Sequence, residues 1–306
     1  MITQRVHRDL ARAISAVENR IVPLSAARAT LAAQGHTPAA ARADVVGITG
    51  PPGAGKSTLA DRLIEGLRAA GETVAVIAVD PSSPFTHGAV LGDRVRMQRH
   101  AGDVGVFIRS MASREAGGGL APATRDAVRL AEAAGFDVIL VETVGVGQIE
   151  LEVVAVADCI VVVTVPALGD SVQTIKAGLT EIADIFVVNM ADRPGANRTA
   201  VELKHMVHEG RRDIPVLQTI AQDGTGVAEL LKAIGAYRRA EAGNTGRAVR
   251  FEVMRRARDR AALAAAALLD SPLGAGVFAQ LSAHQIGRND AVDTLLEMLG
   301  GPVHAH

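Results

Sequence analysis

Val45-Val46-Gly47-Ile48-Thr49-Gly50-Pro51-Pro52-Gly53-Ala54-Gly55-Lys56-Ser57 decides the fold of this chain. A short, wholly apolar run ends in a glycine-rich turn, and helix-patterned sequence starts at Ser57. The last eight residues satisfy G-x-x-x-x-G-K-[ST]. Strand, loop and helix in that order let the backbone curl so that successive N–H groups point inward at phosphate oxygens. The helix N-terminus adds its partial positive charge. Lys56 then reaches the outer phosphates, and the Ser57 hydroxyl completes the oxygen shell of a magnesium ion. Pro52, Gly53, Ala54, Gly55, Lys56, Ser57 and Thr58 are the expected nucleotide-binding residues.

Outward from this segment the chain alternates between short β-branched runs and Ala/Leu-rich helical sequence. The runs lie at Val45–Thr49, Thr73–Val79, Val104–Ile108, Val138–Val141, Ile160–Val165 and Ile185–Val188, with a weaker one at Val216–Ile220. Helical segments fall at Ser57–Ala70, Thr124–Ala134, Ser171–Ala183 and Gly226–Ala240. Strands apolar throughout and separated by helices predict a mostly parallel sheet covered on both faces, an α/β architecture of the P-loop NTPase kind. The Val/Ile runs are core; they place the chemistry without performing it.

Before the first run, Leu10, Ile14, Val17 and Ile21 recur at helical spacing, and Pro23 with Ser25 marks a break and a new start. After Ala240 the strands stop, and Arg247–Leu269 reads as a long Ala- and Arg-rich helix before a turn at Ser271-Pro272-Leu273-Gly274. The expected organisation is a helical extension over 1–43, a nucleotide-binding domain over 44–240 and a C-terminal helical extension over 241–306.

Composition removes several function classes. The formal net charge of −1 and an aromatic content of 2% argue against a nucleic-acid surface, which needs clustered positive charge and stacking platforms. The single cysteine, Cys159, excludes an intramolecular disulfide, and its place in an apolar run marks it as a buried small hydrophobe. No apolar segment has the length of a membrane span, and the N-terminus lacks a signal-peptide core, so the expected location is cytoplasmic, with no membrane partner.

Three carboxylates stand where a divalent cation needs them. Asp80 ends the second run, Asp93 follows in Leu91-Gly92-Asp93-Arg94, and Glu142 ends the strand Val138–Val141. Ligands of open parallel sheets bind at the carboxyl ends of strands, so Asp80 and Glu142 share the rim with the glycine-rich loop. The plainer role for each is capping a following helix. Glu142 opens Glu142-Thr143-Val144-Gly145-Val146-Gly147-Gln148, in which the Gly145 N–H is positioned to sense a γ-phosphate. Lys56, Asp93, Glu142 and Gly145 form the expected catalytic set; Ser57, Asp80, Asp93 and Glu142 form the expected metal set.

After Ile185–Val188 comes Asn189-Met190-Ala191-Asp192. An Asp here accepts from the N1 and N2 donors of guanine, while the Asn braces the site. Met190 stands where a lysine stem usually covers the base, a task a thioether also performs. Further on, Ala221 in Thr219-Ile220-Ala221 is placed to offer its N–H to guanine O6. A polar turn after a strand is the alternative reading of both segments.

Taken together, Ala11–Asn19, Gly50–Ser57, Val79–Ser83, Leu91–Met97 and Val141–Gln148 resemble the MeaB/ArgK family of metallochaperone-type GTPases, which includes the human methylmalonic aciduria type A protein. The resemblance runs from about Leu10 to about Gly226. It implies GTP hydrolysis with Mg2+, GTP and GDP as bound nucleotides, a homodimer with helical extensions, and an adenosylcobalamin-dependent acyl-CoA mutase as partner. The implied task is gating cofactor loading and protecting the mutase. It also implies a mobile element, switch III, over Pro166–Lys176, with Asp170 and Lys176 as its charged positions. Met190 and Ile220 depart from the family pattern at the base. Competing readings are a nickel-insertion GTPase, for which the lone cysteine and nine scattered histidines are poor ligands, a small-molecule kinase, and a binding module that does not hydrolyse.

One residue bears on rate. Small GTPases orient the attacking water with a glutamine after the D-x-x-G glycine, and here that place is Val146, which cannot hold water through its side chain. The purified protein alone should therefore turn over more slowly than about one per second, a rate within the range of kinases. Single-turnover phosphate release measures this directly.

Overall fold

The computed structural model describes residues 2–36, 42–80, 98–100, 102–112, 122–143, 153–166, 182–209, 213–240, 253, 257, 260, 263–283, 285 and 287–298. They fall in two compact units, Met1–Ala248 and Val249–His306.

The first unit is built on a seven-stranded sheet. Its strands are β1 (Asp44–Thr49), β2 (Val74–Asp80), β3 (Val106–Ala112), β4 (Val138–Glu142), β5 (Cys159–Thr164), β6 (Ile185–Val188) and β7 (Val216–Gln218). Every pairing is parallel, and the order across the sheet is β3-β2-β4-β1-β5-β6-β7. The central strands are buried on both faces, as continuous apolar runs require. All seven expected strands are present.

The register matters more than the order. Ile48 lies opposite Glu142, and Ala78 also pairs with Glu142. On the other side Thr164 pairs with Val188, and Val188 pairs with Gln218. The ends of β1, β2, β4, β6 and β7 therefore stop at one rim.

One strand begins later than its sequence suggests. Apolar content places it from Val104, whereas β3 spans Val106–Ala112. The cause is local turn chemistry. Asp103 accepts from the Gly105 N–H at 2.7 Å and from Arg68 Nε at 2.8 Å, which holds 103–105 in a turn.

Helix α3 (Lys56–Ala69) follows β1 directly and buries Leu59, Leu63, Ile64 and Leu67 against the sheet. Pro122–Ala134 forms α4, Ala196–Glu209 forms α5 and Val227–Ala240 forms α6, which packs beside α3. At the N-terminus, α1 (Gln4–Glu18) is capped by the Thr3 side chain and buries Val6, Leu10, Ile14 and Val17. Together with α2 (Leu24–Ala33) it packs on α4, inside the same compact unit as the sheet. Arg109 of β3 and Glu18 of α1 form an ion pair at 2.7 Å that ties this layer down.

In the second unit, residues 263–269 are helical, Ser271 caps α7 (Pro272–Ser282) with Pro272 in its first turn, and α8 spans Arg288–Met298. Among the described residues no single helix is long and apolar enough to cross a membrane. The stretch 263–269 and α7 meet that length and composition only as a pair, bent by 67° at their break.

His7 of α1 sits edge-on to Phe107 at 5.6 Å and stacked on Phe136 at 6.1 Å. Burial holds its imidazole below the ordinary 6.5, against opposing contributions from the Val104 backbone and the Asp103 carboxylate. Below 6.5 the unfolded chain takes up this proton before the folded one does. The packing is thus worth most above that pH and is lost as pH falls through the lowered folded value. His7→Phe should flatten the loss of stability between pH 7 and 5 relative to the parent protein, as read from urea midpoints at each pH.

Candidate functional site

The glycine-rich loop leaves β1 and enters α3 through two narrow places. Gly50, at φ +136°, passes so close to β5 that a Cβ would lie 1.9 Å from the Val163 carbonyl oxygen. Gly55, at φ +81°, would put a Cβ 2.4 Å from the Asn189 amide nitrogen. Only glycine satisfies both the left-handed backbone and the closeness at Gly55.

Lys56 and Ser57 open α3 and are buried. Lys56 Nζ donates to the Gly50 carbonyl at 2.8 Å and to the Pro51 carbonyl at 3.0 Å, so the ammonium lies within the loop it follows. Ser57 Oγ donates to Glu142 Oε1 at 2.6 Å. The two residues are 85 apart in sequence, and the β1–β4 register brings them together. Beside them, Thr143 N–H donates to the Ile48 carbonyl at 3.1 Å and Thr143 Oγ1 donates to Thr49 Oγ1 at 2.9 Å. The ends of β1 and β4 are thereby locked at one level.

On the far side of the loop, Asn189 is the hub. Its Nδ2 donates to the Ala54 carbonyl at 2.9 Å, and its Oδ1 accepts from Thr219 Oγ1 and from the Ala221 N–H, both at 3.1 Å. Met190 takes φ +56°, a left-handed conformation uncommon for a side chain of this size. The turn brings Asp192 to a cavity of about 100 Å³ that is also lined by Gly55, Thr58, Met190, Ile220 and Ala221. Met190 packs on the main core as well as lining this space.

The structure thus gathers Gly53, Ala54, Gly55, Lys56, Ser57, Thr58 and Glu142 around the loop, and Asn189, Asp192 and Ala221 around the adjoining cavity. Asp80 ends β2 on the same rim. Asp93, Gly145, Val146, Asp170 and Lys176 lie outside the described residues. The Ala221 N–H, expected to donate to guanine O6, already serves Asn189, so a base must share or take over that donor. Thr219, Thr49, Thr143 and Arg62 also hold the site together, and no motif in the sequence marks them. For Thr219, which is fully buried, the available signal was its place at the end of an apolar run, two residues before the alanine.

A parallel α/β sheet with a phosphate loop after its central strand, a buried Ser–Glu pair and a base-sized cavity beside the loop defines a P-loop nucleotide-binding protein. The sequence pattern of the family described as "Methylmalonyl Co-A mutase-associated GTPase MeaB" matches residues 10–277, and the chain belongs to that family of P-loop GTPases. A Pyrococcus horikoshii relative, provisionally named GTPase PH0274, is 53% identical over 239 residues, 76% of this chain and 74% of that one. The Escherichia coli GTPase ArgK is 43% identical over 200 residues, 65% of this chain and 60% of its own length. Among solved structures, that of a LAO/AO transport system kinase superposes with a TM-score of 0.69 at 27% identity, covering 97% of this chain and 96% of that one.

The two loop glycines allow a graded test. Gly53 has φ +77°, and a Cβ there would have nothing within 4 Å, whereas a Cβ on Gly55 would meet Asn189. Gly53→Ala should cost about 1–2 kcal/mol, the left-handed penalty alone. Gly55→Ala should cost more and also abolish nucleotide binding. Thermal melts and fluorescent-nucleotide titration of both variants measure the difference.

Proposed function

We propose that this chain is a magnesium-dependent GTPase that acts as chaperone to an adenosylcobalamin-dependent acyl-CoA mutase, gating cofactor loading and protecting the mutase from inactivation. The observation that carries the hydrolase part is the 2.6 Å contact between Ser57 and Glu142 beside the phosphate loop. The mutase part is supported by the family's own description, which names that association. In this reading the protein works in the cytoplasm as a homodimer.

The residues at the rim fit a hard cation. A serine hydroxyl and a carboxylate in contact, both buried, are oxygen donors of the kind Mg2+ prefers. Ser57 and Glu142 would hold the ion, with Asp80 and Asp93 as further candidates, and it would neutralise charge developing on the β- and γ-phosphates. Lys56, now satisfied by the carbonyls of Gly50 and Pro51, exchanges them for phosphate oxygens. Asp192 accepts from guanine, and Met190 covers the ring. Asp93 and Gly145 follow the γ-phosphate, and Asp170 and Lys176 relay its state to the mutase.

A second reading, transfer of the phosphoryl group to a small molecule, is favoured by the likeness to a structure described as a transport system kinase. For nickel insertion, no group of three or more His, Cys, Asp or Glu side chains gathers among the described residues.

GTP hydrolysis measured with and without a purified cobalamin-dependent mutase separates these readings. A rise on adding the mutase, with co-elution of the two proteins, supports the chaperone; no change and no co-elution count against it, and a phosphorylated acceptor other than water establishes the kinase. Lys56→Ala should weaken GTP binding at least about tenfold, because it removes charge-assisted hydrogen bonds to phosphate.

A further inference from the structure

Arg62 lies on α3, six residues beyond Lys56 and about 9 Å further along the helix axis at 1.5 Å per residue. Its guanidinium reaches off the helix to the loop that follows β7. Nε donates to the Ala221 carbonyl at 3.0 Å, and Nη2 donates to the neighbouring Gln222 carbonyl. Nη1 is held from the other side by Glu65 at 2.9 Å, which fixes the plane of the fork.

These acceptors belong to the wall of the cavity beside the phosphate loop, where Ala221 and Gln222 face Asn189 and Asp192. The Ala221 residue is gripped at both ends: its N–H by Asn189 at 3.1 Å and its carbonyl by Arg62 at 3.0 Å. Asn189 in turn holds the phosphate loop through Ala54. Among the described residues, 219–222 have few other tethers to α3, and the bonds from Asp223 and Gly224 back to Ile220 only close the turn on itself. Two adjacent carbonyls offered side by side call for a planar fork with several donors, which a lysine ammonium does not supply.

We propose that Arg62 is the positioning residue for base binding: through one rigid helix it sets the loop 219–222 in register with the phosphate cradle at the helix's own N-terminus. The inference rests on reading the cavity as the base pocket. The two loop carbonyls that the Arg62 guanidinium holds, Ala221 and Gln222, belong to residues lining the base side of the site, so its loss disturbs the base more than the phosphates.

The experiment compares GDP with inorganic pyrophosphate, which has the same two phosphates and no base, as calorimetric ligands for the full chain and for Arg62→Ala, Arg62→Gln and Arg62→Lys. The expected result is a loss of about tenfold in GDP affinity for R62A, the magnitude of a charge-assisted hydrogen bond. Pyrophosphate affinity should stay within about twofold, and R62K should recover part of the loss. In turnover, KM for GTP should rise while kcat holds. Equal weakening of both ligands, or GDP affinity unaltered in R62A, overturns the positioning role. Should R62A fail to fold, R62Q and R62K decide by the same ratio. If the parent protein binds GDP no better than pyrophosphate, the base-pocket reading itself falls, a result distinct from a parent preference that R62A retains.

Discussion

The site depends on one carboxamide. Asn189 donates to the phosphate loop at Ala54 and accepts from Thr219 and Ala221 beyond β7, while its backbone N–H donates to the Thr164 carbonyl at 2.8 Å. Only a side chain with both donor and acceptor does this; an aspartate has no hydrogen to give Ala54. The contact is possible because Gly55 lacks a Cβ, since a methyl there would lie 2.4 Å from the amide nitrogen. With Asn189 fully enclosed, these bonds form away from competing water, where each missing partner is costly.

The phosphate side is biased electrostatically. Lys56 brings a buried ammonium to the first turn of α3, where the helix already presents partial positive charge. Two positive sources at one point favour any polyanion that replaces the Gly50 and Pro51 carbonyls as partner. Across the rim, Glu142 supplies the opposite sign within hydrogen-bond reach of Ser57. Cation and anion partners are thus separated along β1 and β4 by the register of the sheet, and Thr49 with Thr143 keeps that register from slipping.

The base side trades backbone comfort for position. Met190 at φ +56° is unfavourable for a long side chain, and it persists because the surrounding bonds determine it. Asn189 holds the chain before it, and Ala191 N–H donates to the Thr219 carbonyl at 3.0 Å after it. Between the two, the chain has no extended route, and Asp192 arrives at the cavity. The Met190 and Ile220 side chains that depart from the usual GTPase pattern both line this cavity, so the departures make its wall more apolar without removing the acidic group.

The seven strands, the phosphate loop and the strand-end carboxylates were legible in the amino-acid sequence, because each is a local pattern: continuous β-branched runs, a glycine-rich turn, an acid closing an apolar segment. The start of β3 was not, because the Asp103 turn competes with apolar content over the same residues. Tertiary structure alone decided the partners. Ser57 meets Glu142 across 85 residues, Asn189 meets Ala54 across 135, and Arg62 reaches Ala221 across 159. Such pairings are set by strand order and register, which put distant residues at one rim. No window of sequence short enough to carry a periodicity contains both members of any of them.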